Sequence, residues 1–314
     1  MLVRVQPSEP FYMSFDKEKQ KGRGVALNEW YRGDTINYYP KKVHLLDPDA
    51  LYQYILKGLV PKMPFITKED FITSFGSCFA DYLRHHLIDL GYQTHDYVSK
   101  KIPIVYVGEG INNTYSLVEQ FKWAYGEVDI SGEHWIDRDR EYYIPTEEHR
   151  IKTREAFDKT TVFIFTLGLS EVWYNKTTGE VFWRGVPKEQ FDPDIHGFKL
   201  TTVEENLANL ERLVAIIREH RPEAKIIFTL SPIPLLATFR NIPAIPASTV
   251  SKAILRVAVD TLTTKHQDIY YWPAYEIVKE FCGNQYDADN RHPIVSTIET
   301  VIREFKRYYL APVA

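Results

Sequence analysis

Two short strings in this chain hold the residue types that acyl chemistry requires. Gly76-Ser77-Cys78 sets a hydroxyl beside a thiol, directly after the apolar run Phe71-Ile72-Thr73-Ser74-Phe75. A nucleophile in a strand-to-helix turn lies against the free N–H groups and the positive dipole end of the helix. Those groups lower a thiol pKa and offer donors to an oxyanion. Taken alone, Cys78 also reads as a small buried hydrophobe and Ser77 as a helix N-cap. The second string, Asp289-Asn290-Arg291-His292, puts a carboxylate three residues before an imidazole. Such a pair can act as a base with the group that orients it, or can be a solvated loop.

The pattern around these strings predicts the elements that must position them. From Phe71 onward, short apolar runs alternate with helical periodicity, which predicts βα units around a mostly parallel sheet. Phe71–Phe75 is a strand. Phe79, Leu83, Leu87 and Leu90 then share one helical face that ends at Gly91, so residues 76–78 form the turn between strand and helix. A second strand, Thr161 to Thr166, runs into Gly168-Leu169-Ser170-Glu171, a turn at the carboxyl end of a buried strand, where open α/β sheets bind ligands. Thr202 and Glu205 form a capping box for a helix striped by Val203, Leu207, Leu210, Val214 and Ile217. Strand Lys225 to Leu230 ends at Ser231-Pro232-Ile233-Pro234, a helix follows from about Thr249 to Thr264, and Ile269 to Trp272 is a last strand. The closing helix starts with Pro293 in its first turn, which puts His292 at a helix entrance. Residues 1–65 read as an N-terminal extension packing on the core, with one amphipathic stretch from Asp49 to Leu59, and residues 66–314 as one domain.

Composition narrows the function classes. With 44% hydrophobic and 25% charged residues the chain is an ordinary globular sequence, and a net charge of −4 gives no basic surplus for nucleic acid. Two cysteines, Cys78 and Cys282, make no disulfide framework, and neither an apolar leader nor a membrane span is visible, so the expected compartment is cytoplasmic. No zinc spacing occurs: His85 and His86 are adjacent in a helix and diverge by about 100°. Neither a P-loop nor a complete dinucleotide fingerprint is present, so no metal and no nucleotide cofactor is expected. The expected partner is a small-molecule or glycan ester; the oligomeric state is not legible.

Phe75-Gly76-Ser77-Cys78-Phe79-Ala80, followed in order by Thr166-Leu167-Gly168-Leu169-Ser170-Glu171-Val172-Trp173, Ser231-Pro232 and Asp289-x-x-His292-Pro293, resembles the GSCFA family, a branch of the SGNH/GDSL hydrolase superfamily, over roughly residues 70–310. The resemblance implies a three-layer α/β/α, flavodoxin-like SGNH-hydrolase fold with a mostly parallel central sheet. It also implies an esterase or O-acyltransferase, with polysaccharide or glycan substrates as one class and acetyl-CoA as the acyl donor in the transferase case. Where the superfamily has Gly-Asp-Ser, this chain has Gly76-Ser77-Cys78, which puts Cys78 at the nucleophile position and leaves Ser77 as the alternative. The superfamily's oxyanion glycine and asparagine match Gly110 and Asn113 in Gly108-Glu109-Gly110-Ile111-Asn112-Asn113. Its later Gly-x-Asn-Asp block matches Gly168-Leu169-Ser170-Glu171, so Ser170 stands where an amide donor is usual, and Glu171 reads as either a site neighbour or a structural carboxylate. A non-catalytic glycan- or partner-binding module on the same scaffold is the rival reading.

Overall fold

The structure, a computed structural model, describes residues 37, 39–76, 78–94, 113–129, 146–183, 185–283 and 285–312, with Cys78 described by its backbone only. It divides into two compact units, residues 1–57 and 58–314. The described part of the first holds a short helical turn at His44–Leu46 and a wider one at Tyr52–Leu56, with the His44 and Tyr54 rings stacked 6.2 Å apart. The helical stretch expected from Asp49 is thus present but ends early.

Within the second unit the Phe65 and Ile66 N–H groups both donate to the Tyr309 carbonyl, and Ile66 bridges to Leu310. This strap belongs with the domain it closes. Alternating apolar runs give the strands β1 (Phe71–Gly76), β2 (Gln93–Thr94) and β3 (Val162–Leu167). An antiparallel pair, β4 (Glu171–Asn175) with β5 (His196–Leu200), stands outside the main sheet. The strands β6 (Lys225–Leu230) and β7 (Ile269–Trp272) complete a five-stranded sheet of order β2-β1-β3-β6-β7, parallel throughout. Counted along the main sheet this is the 2-1-3-4-5 order of the flavodoxin-like doubly wound fold, with its switch point between β1 and β3.

Helices α1 (Cys78–Asp89), α2 (Thr114–Ala124), α3 (Glu147–Lys159), α4 (Val203–His220) and α5 (Ala244–Lys265) precede a short turn α6 (Ala274–Glu276), which widens into Ile277–Phe281, and α7 (Val295–Tyr309). On one face Phe75, Phe163, Phe165 and Phe228 pack with Phe121 of α2, Phe157 of α3 and the apolar stripes of α4 and α5. Phe121 and Phe157 stack 4.2 Å apart at the centre of this cluster. Each fully buried Phe contributes about 1.5–3 kcal/mol of apolar burial, so this layer dominates the core. The opposite face meets α1 and α7, where Trp272 packs edge-on against Phe305 and Tyr309. The expected three-layer α/β/α architecture with a mostly parallel sheet is therefore present.

Local signals explain most element ends. Gly91, at φ +78°, closes α1 with N–H bonds from Gly91 and Tyr92 back to Ile88 and Leu87. Thr202 and Glu205 make the expected capping box of α4. Two boundaries differ from expectation. α5 starts at Ala244 rather than Thr249, because Pro246 lies in its first turn, where no backbone N–H is needed. α7 starts at Val295, and Pro293 instead bridges to Tyr286, so His292 sits in a turn before the helix rather than at its entrance.

Gly76 ends β1 at φ +126°, and a Cβ there would lie 2.7 Å from Thr166 Cβ and closer still to the Thr166 carbonyl oxygen. Only glycine fits this position. Gly76→Ala is expected to destabilise the protein by about 3 kcal/mol, combining backbone strain with the steric clash. Urea unfolding of the two proteins checks this; a difference below about 0.5 kcal/mol would contradict the close approach.

Candidate active site

The strand ends define where ligands can meet the fold. Gly76, Thr166, Thr229 and Trp272 occupy one register row across the sheet. The segments after β1, β3 and β6 therefore emerge at a common carboxyl edge, beside the switch point, where doubly wound sheets bind ligands. Cys78 opens α1 at that edge, so its backbone belongs to the first turn of a twelve-residue helix. Ser77 and Gly110 lie outside the described residues.

The Asp289–His292 string arrives from the other end of the chain and is tied to this edge by side chains. Tyr286 donates its hydroxyl to the Pro232 carbonyl at 3.0 Å, and the Arg291 guanidinium reaches the Pro234 carbonyl at 3.4 Å. Asn290 takes a positive φ of 56°, a conformation that asparagine tolerates, and this lets the chain fold back on Asp289. Asp289 Oδ1 accepts the backbone N–H groups of Arg291 (2.9 Å) and His292 (3.0 Å), while Oδ2 pairs with His292 Nδ1. These three donors hold the Asp289 carboxyl well below the usual carboxylate range. With Nδ1 committed to Asp289, His292 keeps Nε2 for a reacting group.

The remaining expected residues separate into two groups. Asn113 caps α2, its Oδ1 accepting from Ser116 N at 2.9 Å, which leaves the amide NH2 available to a ligand. Gly168 is buried and its carbonyl accepts from Lys252 Nζ at 3.1 Å. Ser170 is fully buried and its hydroxyl points at Ser251, 3.0 Å from Oγ and 3.3 Å from the carbonyl. That single O–H is spent inside the protein, so the expected oxyanion donation by Ser170 is corrected to a structural bond that pins the β3 turn to α5. Glu171 accepts from Thr238 Oγ1 at 2.7 Å and faces Arg240 at 3.5 Å, which anchors the segment after β6 to β4.

Two cavities flank that segment, and Leu235 lines both. The first, about 140 Å³, is walled by Trp173, Phe182, Phe198 and Phe239 with Asn113 and Glu171 at its polar side. Trp173, Phe198 and Phe239 meet edge to face at 4.7–5.2 Å. The second, about 360 Å³, contains Lys252, Lys279, Tyr275, Tyr286, Asp289 and Arg291. Burial, with repulsion from Lys279 added, pushes the Lys252 ammonium down to about 7. Sequence reading missed Lys252, although a lysine on the buried stripe of α5, between Ser251 and Leu255, is itself the signal. Cys282 has no disulfide partner among the described residues, and burial raises its thiol pKa. No group of three or more metal-ligating side chains occurs among the described residues, and no described helix is long and apolar enough to cross a membrane.

The sequence pattern of the GSCFA family matches residues 71–305. Comparison with curated proteins returned no match. Solved structures of similar shape include a protein assigned as a GDSL-like lipase from Parabacteroides merdae (13% identity, TM-score 0.41, covering 78% of this chain and 98% of that one). A carbohydrate acetylesterase family member from Sinorhizobium meliloti is 15% identical, with a TM-score of 0.38 and coverage of 76% and 96%. A family two carbohydrate esterase from Clostridium thermocellum, in complex with cellohexaose, is 13% identical, with a TM-score of 0.37 and coverage of 79% and 65%. Likenesses this distant carry no argument about the chemistry, which rests on the residues above.

Lys252 makes a stability prediction with a definite sign. Its folded pKa lies below its unfolded value, so between about pH 7 and about pH 10 the unfolded chain holds the extra proton and stability rises with pH. Relative to Lys252→Met, the wild type is expected to gain about 1.4 kcal/mol per pH unit across that window. Denaturant unfolding of both proteins at several pH values checks this, and a pH-independent difference would show that Lys252 titrates normally.

Proposed function

The chain belongs to the GSCFA family, and we propose that it is an acyl-ester hydrolase or O-acyltransferase of the SGNH type that uses Cys78 as nucleophile. The observation that carries this reading is the Asp289–His292 pair, oriented by three hydrogen bonds and tethered to the edge of the sheet at which Cys78 begins α1. In the proposed reaction His292 Nε2 removes the Cys78 thiol proton, and the thiolate attacks the ester carbonyl. Asp289 holds the ring in the Nδ1–H tautomer and stabilises the imidazolium. Backbone N–H groups at the start of α1 and the Asn113 amide receive the oxyanion, a role in which one donor is worth about 3 kcal/mol of barrier.

Collapse of the tetrahedral intermediate expels the alcohol, which takes the proton from Nε2, and leaves a thioester on Cys78. Water then completes hydrolysis, or a sugar hydroxyl completes transfer, with His292 again accepting the proton. The aromatic cavity suits a short acyl group or one face of a sugar ring. Glycan esters are the favoured substrate class, and acetyl-CoA is the donor to try in the transfer direction.

The test uses p-nitrophenyl acetate and acetylated sugars, with and without acetyl-CoA. Cys78→Ala and His292→Ala are expected to lose kcat by about 10³-fold or more, and Asp289→Asn by about 10²- to 10⁴-fold. Loss in Ser77→Ala with Cys78→Ala intact would move the nucleophile by one residue. Equal rates in all variants would replace catalysis with a glycan- or partner-binding role.

A further inference from the structure

The second cavity gathers three cations, none of which makes a salt bridge among the described residues. Lys252 is only 3% exposed, and its oxygen partner among the described residues is the neutral Gly168 carbonyl. Among the described residues the charge that acts on it is another cation, Lys279. Lys279 lies over the Tyr286 ring, 5.0 Å from its centroid, and burial lowers its own pKa against the single opposing charge of Glu280. Arg291 adds a third cation from a separate segment, with only the Pro234 carbonyl as an acceptor among the described residues. Among the described residues the one carboxylate lining the cavity, Asp289, is already committed to His292 and two backbone N–H groups.

Charging both lysines of this cavity costs stability, because burial disfavours each ammonium and repulsion from Lys279 adds to the cost at Lys252. An anion placed between them reverses both effects, through charge-assisted hydrogen bonds from the lysines and a forked contact from the arginine. At about 360 Å³ the cavity falls at the small end of ligand pockets, roughly 300–1,000 Å³, large enough for one sugar-sized unit. Tyr275 and Ser248 supply hydroxyls around it, and Thr249 and Tyr286, whose O–H groups go to the Ile245 and Pro232 carbonyls, offer acceptor oxygens, a lining suited to a polyol rather than a lipid tail.

We propose that this cavity is an anion-recognition subsite that receives a carboxylate or phosphate borne by a sugar-sized part of the substrate, with Lys252, Lys279 and Arg291 as its ligands. The inference builds on the esterase reading: Asp289 lines the cavity while orienting His292, so a group seated there is anchored beside the reacting ester. The preferred substrates are then esters of acidic or phosphorylated sugars, and Lys279 is a specificity determinant that takes no part in bond breaking.

Calorimetric titration of the full chain with glucose, glucuronate, glucose 6-phosphate and inorganic phosphate tests this without turnover. At least one charged sugar is expected to bind about tenfold or more tightly than glucose, and the tighter of the two identifies carboxylate or phosphate as the natural group. Lys279→Met is expected to erase that preference and Lys279→Arg to keep it. Absence of any preference for charged sugars, or an unchanged preference in Lys279→Met, would overturn the proposal. Charge-selective binding by a protein without esterase activity would instead sink the esterase reading and leave the subsite standing.

Discussion

At the end of β1 the backbone comes so close to Thr166 of β3 that a side chain at Gly76 has nowhere to go. The rest of the candidate active-site edge depends on this contact. It obliges the chain to leave the sheet beside the end of β3, in a conformation that glycine alone adopts without strain. The parallel register then carries the same level across to Thr229 and Trp272, so three successive connections emerge together. A thiol at the start of α1, the Gly168–Glu171 turn and the Ser231–Pro234 segment owe their common edge to strand pairing, and side-chain attraction has little part in it.

What strand pairing cannot supply is the proposed base, which comes from a loop more than two hundred residues after the turn of the proposed nucleophile. Side-chain-to-backbone bonds do that work. Tyr286 and Arg291 hold the carbonyls of Pro232 and Pro234, groups available because proline ends the β6 ladder and leaves them without strand partners. Asp289 then fixes His292 through its own local turn. The segment after β6 is also held from its other side by Glu171, Thr238 and Arg240, so one loop separates an aromatic cavity from a cationic one.

Much of this was legible in the sequence, for local reasons. The apolar runs of β1, β3, β6 and β7 announce strands because both faces of a parallel sheet are buried, and Gly91, Thr202 and Glu205 mark helix ends through short-range bonds. The Asp289-x-x-His292 spacing is equally local: a carboxylate three residues upstream folds back on the imidazole within one turn. The pieces that escaped are non-local or ambiguous. β4 and β5 pair across twenty intervening residues and carry few apolar signals beyond their aromatics. α2 is defined by packing against α4, and α3 is a charged helix whose only deep anchors are Thr153, Ala156 and Phe157. Ser170 was read from its place in a motif, yet its hydroxyl answers to Ser251, a partner that sequence order could not reveal. Lys252 escapes a sequence reading because lysine on a helix is usually solvated, and only the third dimension shows it buried under the influence of the Lys279 charge.

The central claim, that an imidazole held by Asp289 activates the thiol at the start of α1, is tested most directly by trapping the intermediate. Wild-type protein mixed with p-nitrophenyl acetate and quenched in acid is digested and weighed by mass spectrometry. The account predicts one acetyl group on the peptide that spans residues 76–78, held on Cys78 as a thioester that neutral hydroxylamine removes, and absent from His292→Ala. An acetyl group resistant to hydroxylamine on Ser77, or no acylation of that peptide under conditions of turnover, would contradict it.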